Sequence, residues 1–223
     1  MSRGIPGRAN RFLKLVLPVD YEKILITSVV TLASMAVFAG IFIGAGWVDV
    51  AADVPHNPML LKVLETAREQ AINRETRGIA LPDNLSDPER VRRGAGNYQA
   101  MCANCHLVPG QESSEIRRGL YPLPPNLSQA GPGADLIRQS RNRFWVIKHG
   151  IKASGMPAWS KGGMNDQNIW DLVAFINYLP SLDAEGYRHL VHVSNGHVHG
   201  ACDHFHDEKL STDHHHERVQ VTH

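Results

Sequence analysis

"RRGAGNYQAMCANCHLVPG", residues 92–110, sets two cysteines three positions apart and places a histidine directly after the second. Three chemistries use a C-x-x-C pair: half of a zinc site, a redox-active dithiol, and covalent attachment of haem. A structural zinc site needs four ligands in a tetrahedron. Adjacent Cys105 and His106 point apart, so they do not readily share one ion with Cys102, and the only further cysteine is the distant Cys202. A thioredoxin-like dithiol expects a strand before it within a βαβ unit, whereas the residues before Cys102 read as helix. C-x-x-C-H is the haem spacing. The thiols of Cys102 and Cys105 can add to the two vinyl groups on one porphyrin edge, and His106 then lies beneath the iron with Nε2 able to coordinate it.

Such a site asks for more sequence than five residues, because the iron has a sixth position. "GIKASGMPAWS", residues 150–160, offers Met156 in a segment bracketed by glycine and proline between two predicted helices. A thioether there raises the potential relative to two nitrogen ligands. His149 and Met164 are the fallback ligands, and an ordinary core role is the competing reading of any methionine.

Working outward, Asp87-Pro88 provides an N-cap and a first-turn proline for a helix running through Met101. Residues 107–136 are rich in glycine, proline, serine and asparagine and read as extended loops. Residues 134–151 contain a further helix. A last one starts near Asn165 or Asp166 and stops before Pro180, with Ile169, Leu172, Val173 and Ile176 as its apolar stripe. No run alternates as a strand does, so the fold class is mainly α.

Residues 87–180 resemble a class I monohaem cytochrome c of the bacterial, membrane-anchored type. The resemblance rests on the helix bearing Gly94 and Tyr98, on Cys102-Ala103-Asn104-Cys105-His106, and on "YPLPPNL" (121–127) and "GMPAW" (155–159). It implies that Gly94 lets the first and last helices of the domain cross closely, with Phe175 in the crossing and Trp170 as its neighbour. It also implies that the carbonyl of Pro109 accepts the Nδ1 proton of His106, a bond that would orient the ring and tune its basicity.

Upstream, residues 24–48, "ILITSVVTLASMAVFAGIFIGAGWV", carry no charge. As a helix they reach roughly 37 Å, enough to cross a ~30 Å hydrocarbon core with some tilt. The run exceeds the 7–15 apolar residues of a cleaved signal peptide. Arg3, Arg8, Arg11, Lys14 and Lys23 precede it, while Asp49 and Asp53 follow. The positive-inside bias therefore predicts a single-pass anchor in a bacterial inner membrane, with residues 1–23 cytoplasmic and the haem domain periplasmic. Residues 49–86 hold an amphipathic helix (56–78, capped by Asn57 and Pro58, ended by Gly78). It either packs on the haem domain, lies on the membrane surface, or acts as a spacer.

The cytochrome-like domain is expected over residues 87–182, followed by a His-rich tail from 183 to 223 with too few large apolar residues after Val198 for a packed core. Ten of the thirteen histidines fall between His189 and His223. His197, His199, Cys202, His204, His206, His214, His215 and His216 form a possible site for Cu, Ni or Zn.

The formal net charge of +1 gives no reason to expect nucleic acid. No nucleophile triad or carboxylate pair is recognisable, and the expected activity is one-electron transfer rather than catalysis on a substrate. Between His106 and Met156 stand seven basic residues (Arg117, Arg118, Arg138, Arg141, Arg143, Lys148, Lys152) against three acidic ones. That excess can steer an acidic redox partner or neutralise haem propionates. Membrane dehydrogenases, quinol-oxidising complexes and terminal oxidases are the expected partners, besides membrane lipid. A metal-handling protein built on the tail and a haem gas sensor are the rival functions.

Overall fold

The computed structural model describes residues 20–129 and 135–197, and these fall into two units divided after Val54. No strand occurs among the described residues. In the first unit, α1 spans Tyr21–Gly44 and is long and apolar enough to cross a membrane. It starts a turn earlier than the uncharged run, with Lys23 paired to Asp20 at 2.7 Å. It ends where Gly46 takes φ +71°. The Trp47 N–H then returns to the Phe42 carbonyl at 3.2 Å and that of Gly46 to Ile43 at 3.0 Å. With the Trp47 ring edge-on to Phe42 at 5.8 Å, this is a Schellman cap with its hydrophobic contact.

The second unit opens with α2, Pro58–Glu75, whose first turn is capped by the Asn57 side chain accepting from Met59 N at 2.9 Å. The helix closes at Thr76, before Gly78. The buried Thr76 hydroxyl donates to Asn142 Oδ1 at 2.7 Å, and Asn142 Nδ2 donates to Asn73 Oδ1 at 3.0 Å. Of the three roles open to this helix, its C-terminal half therefore takes packing on the domain, against α6 (Leu136–His149).

The core is made by α3 (Pro88–Met101) crossing α7 (Asp166–Tyr178), with the four-residue α4 (Ala103–His106) and α5 (Glu115–Arg118) on the loop side. Gly94 sits at the crossing: a Cβ there would lie 2.1 Å from the Asp171 carbonyl oxygen and 2.7 Å from the Phe175 Cβ. Tyr98 and Phe175, both fully buried, meet one turn along at 5.2 Å between ring centroids. Trp170 stacks instead on Phe144 of α6, at 4.2 Å and 16° between planes. Asp171, buried beside Gly94, accepts from both Arg90 and Arg93 of α3.

The tail does not begin at residue 183. Asp183 caps a further helix, α8 (Ala184–His192), accepting from Gly186 N at 2.7 Å. Its Tyr187 is buried against Tyr98 and Phe175 and donates to Gln99 Oε1 at 2.8 Å. Leu190 and Val191 pack on the same core. Arg92 donates to the Val193 carbonyl and to Asn195 Oδ1, so the chain stays on the domain past the helix end. Three apolar residues at helical spacing suffice here because the receiving surface, the outer side of α3, already exists.

Candidate functional site

The C-x-x-C-H segment forms one helical turn. The Cys102 carbonyl accepts from both Cys105 N (3.1 Å) and His106 N (2.8 Å), which fixes the two cysteines and the histidine in one register. The turn is stopped by Leu107, a non-glycine residue at φ +65°. Its left-handed backbone is held from two sides: Leu107 N bonds the Ala103 carbonyl at 2.8 Å, and the Leu107 carbonyl accepts from the buried Tyr98 hydroxyl at 2.6 Å. Tyr98 thus joins the α3 core to the bend after His106. Cys102 is buried, Cys105 half-buried, and neither is in a disulfide. Burial pushes the Cys102 thiol up to about 12, with Cys105 adding to the shift. No group of three or more metal-binding side chains occurs among the described residues.

His106 Nδ1 lies 2.9 Å from the carbonyl oxygen of Pro125, not that of Pro109. This corrects the expected partner. Pro109 belongs to the turn leaving the bend at Leu107, whereas the His106 carbonyl accepts from Leu127 N at 3.1 Å and so draws the Pro124–Leu127 segment alongside. A carbonyl can only accept, so Nδ1 carries the proton and Nε2 keeps a lone pair. Burial holds the His106 pKa below the usual imidazole value, which favours the neutral ring that a metal requires.

Met156 is positioned by the loop after α6. The Ile151 N–H donates to the Met156 carbonyl (3.1 Å), while the Ser154 hydroxyl bonds the Ile151 carbonyl and receives Met156 N. Gly150 has φ +67°, and a Cβ on it would lie 2.7 Å from the Pro157 carbonyl carbon. The loop therefore folds back onto its own helix end. Cys102, Cys105, His106 and Met156 all line one cavity of about 520 Å³, within the usual range of about 300–1,000 Å³ for cofactor sites. Its other walls are largely apolar, Leu120, Leu127, Ile147 and Trp159 among them. The two fallback ligands lie elsewhere: Met164 is buried in the core outside this lining, and His149 is exposed against Trp145.

Two soft-metal thiols, one neutral imidazole and one thioether around an apolar cavity fit a covalently held haem. Residues 89–176 match a family model described as cytochrome c oxidase, cbb3-type, subunit III. These residues are a class I monohaem cytochrome c domain. No curated protein and no solved structure matches the chain.

The cytochrome domain implies haem c and electron transfer. The basic residues between His106 and Met156 are only partly available for steering. Lys148 pairs with Asp166 at 2.7 Å and Arg138 with Asp135 at 3.5 Å, and Arg117 donates to the Pro124 carbonyl at 3.0 Å. Arg143 turns inward, donating to Asn177 of α7 and lining the cavity. Nothing in the sequence separates it from the exposed Arg138 on the same helix. Nor does the "PPNL" segment carry a local signal that its Pro125 carbonyl faces His106. Of the candidate tail site, only His197 lies among the described residues; His199, Cys202, His204, His206, His214, His215 and His216 lie outside them.

Proposed function

We propose that the chain is a membrane-anchored electron carrier in which Cys102 and Cys105 would tether one haem c and His106 and Met156 would ligate its iron. The observation that carries this reading is that both thiols, the imidazole oriented by Pro125 and the Met156 side chain line one apolar cavity. When bound, haem c supplies reversible one-electron chemistry at its iron. The chain's part is to keep the surroundings constant through that exchange. The Pro125 carbonyl retains the Nδ1 proton, so His106 presents the same Nε2 lone pair in both states. The closed Ile151–Met156 turn presents the thioether without rearrangement, and a thioether raises the potential relative to a second nitrogen ligand. The apolar walls exclude water and disfavour additional positive charge.

Helix α1 serves as the anchor. Its basic flank at residues 3–23 and the acidic residues after it favour a cytoplasmic N-terminal segment and a periplasmic haem domain. Tethering raises the local concentration of the domain near membrane partners. The matched family is described as an oxidase subunit, which supports a respiratory complex as the partner class: a dehydrogenase or quinol-oxidising complex as donor and a terminal oxidase as acceptor, with this chain as subunit or tethered neighbour.

The test is a potentiometric titration with optical spectra on wild type and Met156→Ala, after mass spectrometry has established one covalent haem per chain. The variant should lose the thioether ligand's spectral signature and fall in potential. An unchanged spectrum and potential would refute Met156 as the ligand.

A further inference from the structure

Glu65, Arg68 and Arg143 are the charged residues that line the cavity, apart from His106. Arg68 belongs to α2, the helix that precedes the cytochrome domain and lies outside the matched residues. Arg143 belongs to α6. Neither guanidinium forms an ion pair with Glu65 or with any other carboxylate among the described residues. Arg143 is half-buried and its one hydrogen-bonding partner is the neutral amide of Asn177. Burial lowers its pKa, and no anion offsets that shift. A desolvated cation without a counterion is costly, and in this domain it faces the space meant for a cofactor that carries two carboxylates.

We propose that Arg68 and Arg143 are the counterions of the haem propionates, and that the bound cofactor thereby clamps α2 onto the domain. The inference rests on the reading of this cavity as the haem site. Two helices distant in sequence each supply one guanidinium, and the planar fork of each suits a carboxylate. Without haem, α2 is held to α6 mainly at its C-terminal end, through Thr76, Asn73 and Asn142. A propionate bond at Arg68 adds a second attachment two turns earlier. The helix that follows the membrane segment becomes part of the haem site.

The experiment uses the full-length haem-loaded protein in detergent, as wild type, Arg68→Leu, Arg143→Leu and the two Lys variants. The reduction potential is followed with pH, and amide hydrogen exchange is followed along α2. The wild-type potential should be flat between about pH 5 and 8, because paired propionates stay ionised throughout. Each Leu variant leaves one carboxylate unpaired, which favours the oxidised state. The reduced-to-oxidised ratio at fixed ambient potential should drop about tenfold, about 59 mV for a one-electron couple. The unpaired carboxylate also has a raised pKa, so the potential of the variants should fall as pH rises through it. Arg68→Leu, and not Arg143→Leu, should speed exchange in the first half of α2, and the Lys variants should restore both properties in part.

Potentials and pH profiles that match wild type in both Leu variants, with haem attached and ligation spectra intact, would overturn the proposal. So would an α2 exchange pattern indifferent to Arg68→Leu. Should Arg143→Leu fail to fold, the half-exposed Arg68 variants decide alone. Absence of covalent haem in the wild type would instead sink the reading of the site itself.

Discussion

Asp171→Asn isolates the strongest electrostatic element of the fold. Asp171 has a side chain 5% exposed and accepts from Arg90 at 2.8 Å and from Arg93 at 2.7 and 3.1 Å. The two cations are unequal. Arg93 is 38% exposed at its side chain and can turn to water, but Arg90 is 7% exposed and cannot. Neutralising Asp171 therefore strands one buried guanidinium at the α3–α7 crossing. Breaking a buried pair from one side typically costs about 3–5 kcal/mol, against a total stability of about 5–15 kcal/mol. Thermal unfolding of the haem-loaded protein, followed by circular dichroism, should drop by about 10 °C or more. The control is Arg90→Met with Asp171→Leu. Replacing both partners with apolar side chains removes the stranded charge, so the double variant should recover most of the loss. A single variant within about 1 kcal/mol of wild type, or a double variant no better than the sum of two singles, would refute the charge argument.

Four further outcomes follow from the geometry. Gly94→Ala should destabilise by about 2 kcal/mol or more in urea titration, because its Cβ meets the Asp171 backbone at 2.1 Å and the helices must part. Tyr98→Phe strands the Leu107 carbonyl and should cost about 1–3 kcal/mol by the same assay. Gly150→Ala combines a positive φ with a backbone clash at Pro157, so the optical spectrum should show partial loss of thioether ligation while the attachment mass stays unchanged. A chain ended at residue 182 should be less stable than one ended at 197 by about 3 kcal/mol, the order of truncating Tyr187 alone.

Much of the fold was legible because it is local. The caps at Asn57 and Asp87 and the prolines after them act within one turn, and the structure uses both. The family resemblance implies one crossing shared by Gly94 and Phe175, and they meet there, with Tyr98 one turn along. The misses are long-range. The end of α2 depends on Asn142, 66 positions beyond Thr76, and no helix-stop signal encodes that bond. Helix α8 was hidden because its neighbours are histidine and glycine. Its apolar residues, Tyr187, Leu190 and Val191, have meaning only against a surface that α3 and α7 create.

The sequence by itself determined the C-x-x-C-H register, the apolar run of α1 and the mainly helical class. Each rests on covalent spacing or on periodicity along the chain, which need no distant partner. Only the tertiary structure decided that Pro125 rather than Pro109 faces His106. Only it brought Met156 into the same cavity as the two cysteines, and turned Arg68 and Arg143 toward that cavity. Those arrangements depend on which loop is drawn beside which helix, and that is settled by burial and by backbone hydrogen bonds between segments many residues apart.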